Sequence, residues 1–315
     1  MVIIAVVRRN VQRTDHIMAG IGVSYLTFIL QHSIVVLTNF AEVTTVCDVN
    51  KTQIIDCICC WYDLLGYGAP FMESTWDLHN EIAQQSIKRI LQDAFPFSGM
   101  YSLQMGKRLH LNDGIISNHD IQDECKDPLY KVIFYLDAIV EDFNALNYFD
   151  QNYGYPGVRG VLTAGHRFAY ENANITEQVA GNIVAYHPKE FQMNTAFSKA
   201  YIVEESGSRA GIKGNWMYID RVIFDVFTKY SNQENQYSYC ELQSKDKIIF
   251  EIYRNKEWQM SLEFDPEPIK YNQRGIHTVF YKLINKHSYI DEYFADAAHQ
   301  DSIRYLLMDQ MEENT

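Results

Sequence analysis

The sequence is short of positive charge. Its 315 residues carry 27 Lys and Arg side chains against 40 Asp and Glu side chains, which gives a formal net charge of −13. A surface for nucleic acid or anionic lipid needs concentrated Lys and Arg, because the partner's phosphates are negative. We therefore expect no nucleic-acid partner, and a nucleotide ligand would have to arrive with divalent cations.

The sequence also lacks a long apolar run. Residues 17–30 are apolar but are interrupted by Ser24, Tyr25 and Thr27, whereas a membrane-spanning helix needs about 20 predominantly apolar residues. We expect a cytoplasmic protein, for which a membrane is an improbable partner. Residues 1–50 are interpreted as an N-terminal extension without an assigned role, with a packed helix and strand as the simplest reading.

Its six cysteines lack the paired spacing of a zinc ribbon. Three of them, Cys57, Cys59 and Cys60, lie in one apolar stretch, which is typical of buried thiols in a reducing compartment. No internal repeat is present. A hydrophobic content of 47% is ample for a packed core.

The stretch 57–68 reads Cys-Ile-Cys-Cys-Trp-Tyr-Asp-Leu-Leu-Gly-Tyr-Gly. An apolar run of this kind predicts a strand buried on both faces, and it ends in the carboxylate of Asp63. Hard cations bind such oxygen ligands, so we expect Asp63 to be a metal ligand. Gly66 and Gly68 allow a sharp turn whose amide groups could approach a phosphate. The alternative is ordinary turn chemistry at the end of a strand.

Further along, the pattern predicts a helix that begins at a capping box in residues 74–77 and continues to about residue 95. Strand character follows at 101–105 and 108–111, and Asn112-Asp113-Gly114 predicts a hairpin turn. Asp127-Pro128 is typical of a helix start, and residues 158–165 resemble a buried strand.

The remaining elements are predicted more sparsely. We expect strands at 183–186, 216–227 and 248–253, and a helix from about residue 195 to residue 205 that ends at Gly207. A smaller appended lobe follows, closed by a helical stretch around residues 289–311. The predicted domains are therefore an extension at 1–50, a catalytic domain at 51–228 and a C-terminal α/β addition at 229–315.

The order of the central elements is strand, helix, hairpin, helix, strand, which is the split β-α-β-β-α-β arrangement of an α+β, ferredoxin-like sheet. In that topology the first strand and the hairpin are neighbours, so Asp63 and Asp113 could converge. Two convergent carboxylates are what two-metal phosphoryl chemistry requires. The alternative is that Asp113 is only the Asp of an Asp-Gly turn.

Four segments resemble the motif series of class III nucleotidyl cyclases: residues 62–68, 112–114, 159–165 and 194–201. In their residues these motifs are most similar to the bacterial pyrimidine cyclases of the antiphage system called Pycsar. The resemblance covers roughly residues 55–226. Each motif is short, so the specificity comes from their order and spacing.

The resemblance implies a role for each matched residue. Asp63 and Asp113 would bind two Mn²⁺ or Mg²⁺ ions, with the carbonyl of Leu64 as a further ligand. The turn of Leu65, Gly66, Tyr67 and Gly68 would hold phosphates, and Asn194 would orient the ribose. The carboxylates and the Asn would come from different subunits of a homodimer, so the isolated chain should be inactive.

The sequence departs from the familiar cyclase pattern at three positions. Ser198 stands where an Arg is expected four residues after the Asn, and the adjacent Lys199 could supply the cation without a bidentate fork. Leu109 and His187 replace the usual purine-reading Lys and acidic residue. Tyr62 and Tyr67 are candidate walls of a base pocket, whereas Arg159 and His166 have simple structural explanations.

The resemblance implies a soluble homodimeric enzyme that converts CTP, or else UTP, to a 3′,5′-cyclic mononucleotide and pyrophosphate, as a second messenger in antiviral defence. A purine cyclase of the same fold is the first alternative. A catalytically silent nucleotide-binding or dimerisation module is the second. A palm-type nuclease or polymerase suits the two carboxylates but not the acidic charge balance.

Overall fold

A computed structural model describes residues 53–94, 106–121, 127–169, 188 and 190–289, without the side chains of residues 92–94. The predicted extension at 1–50, the strands at 101–105 and 183–186, His187 and the helix that would follow residue 289 lie outside these residues.

Strand β1 (Gln53–Leu64) is buried on both faces over most of its length. Successive side chains of a strand point to opposite sides, so Ile58, Cys60 and Tyr62 join one apolar cluster while Cys59 and Trp61 join another. The thiols of Cys57, Cys59 and Cys60 are free and buried, as predicted. The apolar run 57–62 is therefore explained by helices or loops covering both faces of the sheet.

Three strands complete the sheet predicted from the element order: β2 (Lys107–Leu111), β3 (Gly114–Asp120) and β4 (Val158–Ala169). They are arranged β2-β3-β1-β4, with every neighbouring pair antiparallel. This is the strand order of a ferredoxin-like β-α-β-β-α-β unit, and the predicted α+β fold class is confirmed.

The helical segment after β1 differs from the prediction. A short helix α1 (Ala69–Glu73) ends at Ser74, and α2 (Glu81–Lys88) begins only after Asn80, whose side chain accepts the Ile82 amide at 2.9 Å. The predicted capping box at Ser74 is thus wrong. Trp76 adopts a positive φ of 63° and stacks on Phe71, which interrupts the helix there. A π-helical segment, Arg89–Ala94, continues α2.

Helix α3 (Pro128–Asn152) confirms its predicted start, since the Asp127 side chain accepts the Tyr130 amide at 3.1 Å. It covers one face of the sheet with Leu129, Val132, Ile133 and Leu136 among its buried side chains. The Tyr62 hydroxyl donates to the Ile139 carbonyl on this face.

Helix α4 (Thr195–Ser206) lies on the opposite face and also confirms its prediction, with Gly207 after its last residue at a φ of 55°. Its buried residues Ala196, Ala200 and Val203 recur at helical spacing and pack in the cluster of Trp61. The two faces of β1 are thus covered by different helices.

The predicted strand at 216–227 is wrong in its second half. Strand β5 (Met217–Asp220) is short and pairs parallel with β4, and helix α5 (Val222–Lys229) follows at once. Its buried residues Ile223, Phe224, Val226 and Phe227 have the spacing of an amphipathic helix. The strand prediction ran past Asp220 and Arg221, where β5 ends and α5 begins.

The C-terminal residues extend the same sheet. The strands are β6 (Tyr237–Gln243), β7 (Ile248–Arg254), β8 (Glu257–Phe264), β9 (Ile269–Gln273) and β10 (Ile276–Ser288). The sheet has ten strands, because β10 pairs with β5, β8 and β9. The predicted addition therefore joins the central sheet edge to edge over the part the structure describes. Within that part, no helix has the length and apolar character to cross a membrane.

A buried arginine fixes the turn that follows β1. Arg89 forms a bidentate ion pair with Asp150 through two 2.7 Å contacts, and it also donates to the carbonyls of Leu65 and Gly157. The side chains of Arg89 and Asp150 are 2% and 4% exposed. Arg89 thus ties α2, α3 and the turn at Leu65 into one rigid unit.

We expect Arg89→Met to lower the free energy of unfolding by about 3–5 kcal/mol, because it leaves Asp150 buried and unpaired. Urea denaturation at pH 7 measures this change. The matched control is Arg274→Met, whose pair with Glu205 is half exposed and screened by solvent, so its loss should change the free energy of unfolding far less. Equal losses in the two variants would contradict the assignment.

Candidate active site

The structure brings Asp63 and Asp113 to one edge of the sheet. Asp63 pairs in register with Gly114, the residue after the hairpin turn, and the Leu64 amide donates to the Asp113 carbonyl at 3.0 Å. Both carboxylates are half-buried. The hairpin tip therefore lies beside the end of β1, where the sequence placed it.

Gly114 makes this close approach possible. A Cβ atom at residue 114 would lie 1.9 Å from the ring of Trp61, well inside any real contact. The Gly of the Asn-Asp-Gly turn is thus needed for packing against β1, and it sets the position of Asp113.

Two further charged residues complete the group around Asp63. Arg159 is opposite Asp63 on β4, with its Nη2 atom 3.6 Å from Asp63 Oδ2. The Arg159 guanidinium also donates through Nε to Glu204 Oε1 at 2.8 Å, with a second, shorter contact through Nη2. Glu204 lies near the C-terminal end of α4 and is buried. Three carboxylates and one guanidinium therefore share this edge.

The pKa of Asp63 is raised to about 7. Burial is the largest cause, followed by the negative charges of Glu204 and Asp113, and Arg159 opposes the shift. The Asp63 carboxylate is thus crowded by like charge, and one nearby guanidinium does not compensate for it. A bound cation would relieve that repulsion.

The donor set fits a divalent ion that is shared with a phosphorylated ligand. Among the described residues, no cluster of three or more His, Cys, Asp and Glu side chains is arranged to hold a metal by itself. Mg²⁺ in nucleotide sites is commonly held by one or two carboxylates, with phosphate oxygens and water as the other ligands. Asp63 and Asp113 could supply the carboxylates. The Leu64 carbonyl already accepts the Tyr67 amide at 3.2 Å and has a second lone pair.

The turn after Leu64 has two kinds of amide group. Those of Leu65 and Tyr67 donate within the chain, to the carbonyls of Gly157 and Leu64. Gly66, at a φ of 72°, and Gly68 donate their backbone N–H groups to no acceptor among the described residues. A phosphate at this turn would therefore be met by the two glycines, and the binding role of all four residues stays a prediction.

The two candidate tyrosines differ. Tyr62 is fully buried on the α3 face and stacks on Phe143, which corrects its assignment as a pocket wall, because adjacent strand residues point to opposite faces. Tyr67 is half-buried against Phe71, and burial together with the charge of Asp113 raises its pKa. Tyr67 is thus close to the carboxylates, and its contact with a base stays a prediction.

Asn194 lies at the other end of β1. Its Oδ1 accepts the Phe197 amide as the N-cap of α4, and its amide nitrogen donates to Asn118 Oδ1 and the Glu190 carbonyl. Asn194 is 1% exposed and is 3.6 Å from the Cys57 thiol. In this structure its polar atoms are therefore occupied within the chain.

The other candidates also have partners within the chain. Lys199 pairs with the fully buried Asp220 at 2.7 Å, and the Ser198 hydroxyl donates to the Asn194 carbonyl. His166 Nδ1 lies 2.6 Å from Asp56 Oδ1, at the end of the sheet far from Asp63. Leu109 packs beside the Trp61 cluster. Catalytic roles for Asn194 and Lys199 stay predictions.

From the sequence, Arg159 was explained as a structural residue and Glu204 was not identified. The signal for Glu204 is its position four residues after Ala200, on the apolar stripe of α4, since an acidic side chain on a buried face requires a partner. Nothing in the spacing identifies Arg159 as that partner, because the pairing depends on how α4 crosses β4.

One cleft among the described residues lies away from the carboxylates. It encloses about 400 Å³ between α3 and β10, and its walls include Glu141, Asn147, Asn215, Trp216 and Lys286. The candidate site, at the ends of β1 and of the β2–β3 hairpin, lies outside this cleft.

We expect Asp63→Asn to stabilise the metal-free protein increasingly as pH rises from about 4 to about 7. A raised pKa means that the folded state favours protonated Asp63, so the wild type loses stability across this range at on the order of 1 kcal/mol per pH unit, and not above it. Urea denaturation at pH 4, 5.5, 7 and 8 with a chelator measures the difference. A difference that does not change with pH would contradict the assignment.

Several solved structures are similar to this chain. The guanylyl cyclase Cya2 has 12% identity and a TM-score of 0.41, over 74% of this chain and 93% of that one. The second structure is the guanylyl cyclase domain of the RhoGC fusion protein from Blastocladiella emersonii, described as monomeric. It has 8% identity and a TM-score of 0.40, over 75% of this chain and 99% of that one. A bacterial light-regulated adenylyl cyclase has 11% identity and a TM-score of 0.34, over 76% of this chain and 67% of that one.

No protein-family model and no curated protein matches the sequence. With identities of 8–12% and TM-scores below 0.5, the three structures identify neither a substrate nor a site in this chain.

Proposed function

We propose that this protein is a nucleotidyl cyclase that converts a nucleoside triphosphate to its 3′,5′-cyclic monophosphate and pyrophosphate. The observation that carries the proposal is the register that sets Asp63 beside Gly114 and Asp113 at one edge of a ferredoxin-like sheet. The similarity of four motifs to class III cyclases supports the same activity.

The reaction joins two atoms of one substrate. The ribose 3′-oxygen forms a bond to the α-phosphorus, the bond from that phosphorus to the β-phosphate oxygen breaks, and pyrophosphate leaves. The 3′-hydroxyl proton passes to solvent. Two Mn²⁺ or Mg²⁺ ions, when bound, would lower the pKa of the hydroxyl and neutralise phosphate charge. Asp63 and Asp113 would hold these ions, and the Gly66–Gly68 turn would orient the phosphates.

Asn194 cannot serve the carboxylates of its own chain. It contacts Cys57, six residues before Asp63 on an extended strand, so the two are roughly 20 Å apart. A ribose contact by Asn194 therefore requires a second copy of the chain in antiparallel arrangement. This supports a homodimer with two shared sites.

For the substrate we propose CTP, with UTP next. Leu109 is an apolar residue at the position where adenine-selecting cyclases carry a Lys, and it packs against the cluster of Trp61. Together with the similarity to Pycsar cyclases, this supports a pyrimidine product acting as a second messenger in antiphage defence, in the cytoplasm. A purine cyclase and a silent nucleotide-binding module are the alternatives.

We expect purified protein with Mn²⁺ to release a cyclic pyrimidine nucleotide when the four ribonucleoside triphosphates are tested separately by mass spectrometry. Asp63→Asn and Asp113→Asn should each lower turnover at least 100-fold while the fold is retained, since each removes a cation ligand. The matched control is Asp246→Asn, an exposed turn residue, which should change turnover less than twofold. A fully active Asp113→Asn variant would contradict the two-metal proposal.

Subunit mixing tests the shared site. Asn194→Ser keeps an oxygen that can cap α4 but removes the amide nitrogen. We expect Asn194→Ser and Asp113→Asn each to be inactive alone, and to recover about one quarter of wild-type turnover when mixed, because half of the dimers are mixed and each has one intact site. Full activity of Asn194→Ser alone would show that Asn194 is only a helix cap.

A further inference from the structure

We propose that Arg159 binds a phosphoryl oxygen of the substrate's triphosphate and that Glu204 is the residue that positions it. The inference rests on the proposed function, since it concerns the phosphate part of the same site. Ser198 stands where the cyclase pattern has an Arg. Arg159 on β4 would supply that positive charge, from the same subunit that supplies the carboxylates.

Arg159 lies beside the carboxylates that would hold the cations. Among the ion pairs of the described residues, the one that reaches Asp63 comes from Arg159, with 3.6 Å between Arg159 Nη2 and Asp63 Oδ2. Lys199, the other candidate, is instead paired with Asp220, which also accepts the Thr278 hydroxyl at 2.6 Å. A guanidinium next to the cation ligands is where phosphate oxygens would be bound.

Glu204 occupies only part of the Arg159 guanidinium. Nε and Nη2 face Glu204, while Nη1 has no hydrogen-bond partner among the described residues. The Arg159 side chain is 15% exposed and the Glu204 side chain 8%, so the pair is held firmly while one part of the fork still reaches solvent. The guanidinium therefore keeps donors that Glu204 does not use and that an anion could accept.

The Arg159 and Glu204 side chains are both held in place by the fold. Glu204 is fixed because α4 packs on the sheet through Ala200 and Val203, and Arg159 is fixed because its backbone pairs with Asp63. The long Arg side chain therefore loses little further freedom when it binds an anion. A Lys at residue 159 could not contact Glu204 and a phosphate in the same forked geometry.

The test measures binding of inorganic tripolyphosphate with Mn²⁺ by titration calorimetry, beside cyclase turnover. Arg159→Gln leaves Glu204 buried without a partner and can unfold the protein, so the double variant Arg159→Gln/Glu204→Gln is the principal one, because it removes both charges and keeps the side-chain volumes. Thermal melting checks that each variant is folded. Arg254→Gln is the matched control, an Arg on β7 that pairs with Asp127 far along the sheet.

We expect the double variant to bind tripolyphosphate about 10- to 100-fold more weakly than the wild type, which is the effect of losing one charge-assisted contact. Arg159→Lys should retain part of the affinity, and Arg254→Gln should stay within about twofold. Glu204→Gln alone should weaken binding less than the double variant, since it frees the guanidinium without removing it.

Wild-type affinity in the folded double variant, or no binding of tripolyphosphate by the wild type, would overturn the inference. Failure of the proposed function looks different. In that case tripolyphosphate binding would depend on Arg159 while none of the four nucleotides is cyclised. Conversely, cyclisation that survives the double variant unchanged would leave the proposed function intact and remove Arg159 from it.

Discussion

Three negatively charged side chains lie close together at the point where β1 ends. Asp63, Asp113 and Glu204 approach one another around a single guanidinium, and the raised pKa of Asp63 expresses the cost. The backbone enforces this arrangement, because Asp63 pairs with Gly114 on one side and Arg159 on the other. A shift of one residue in that register would direct Asp63 into the core under α3. The candidate site therefore depends on the register of the three central strands.

Helix α4 links the two ends of this sheet. Its first turn is held near residue 166, where the His166 amide donates to the Thr195 hydroxyl, and its last turn brings Glu204 to Arg159. A helix of 12 residues is roughly 18 Å long, so Asn194 before its first residue and Glu204 in its last turn are well separated. One chain thus offers carboxylates at one end and Asn194 at the other, which an antiparallel dimer would combine twice.

The position of Asn194 imposes a constraint on that assembly. The side-chain amide nitrogen of Asn194 donates to Asn118 Oδ1 and to the Glu190 carbonyl, and its side-chain oxygen Oδ1 caps α4. A ribose hydroxyl would have to replace one of the two amide contacts, and the cap could remain. The amide nitrogen could therefore contact a substrate while the side-chain oxygen keeps the helix cap.

The sequence determined the order of the central elements, the start of α3 at Asp127, the hairpin at Asp113 and the carboxylate that follows the apolar run. These features are local, because caps, turns and apolar runs are set by neighbouring residues. The strand predicted at 216–227 was wrong past Asp220, where β5 ends. The wall position of Tyr62 was wrong because a run that is apolar on both faces does not show which face each side chain takes. Only the tertiary structure decided that Tyr62 faces α3, that Asp63 faces α4, and that Arg159 meets Glu204. Those outcomes follow from which helix covers which face of β1, and this depends on contacts between residues distant in the chain.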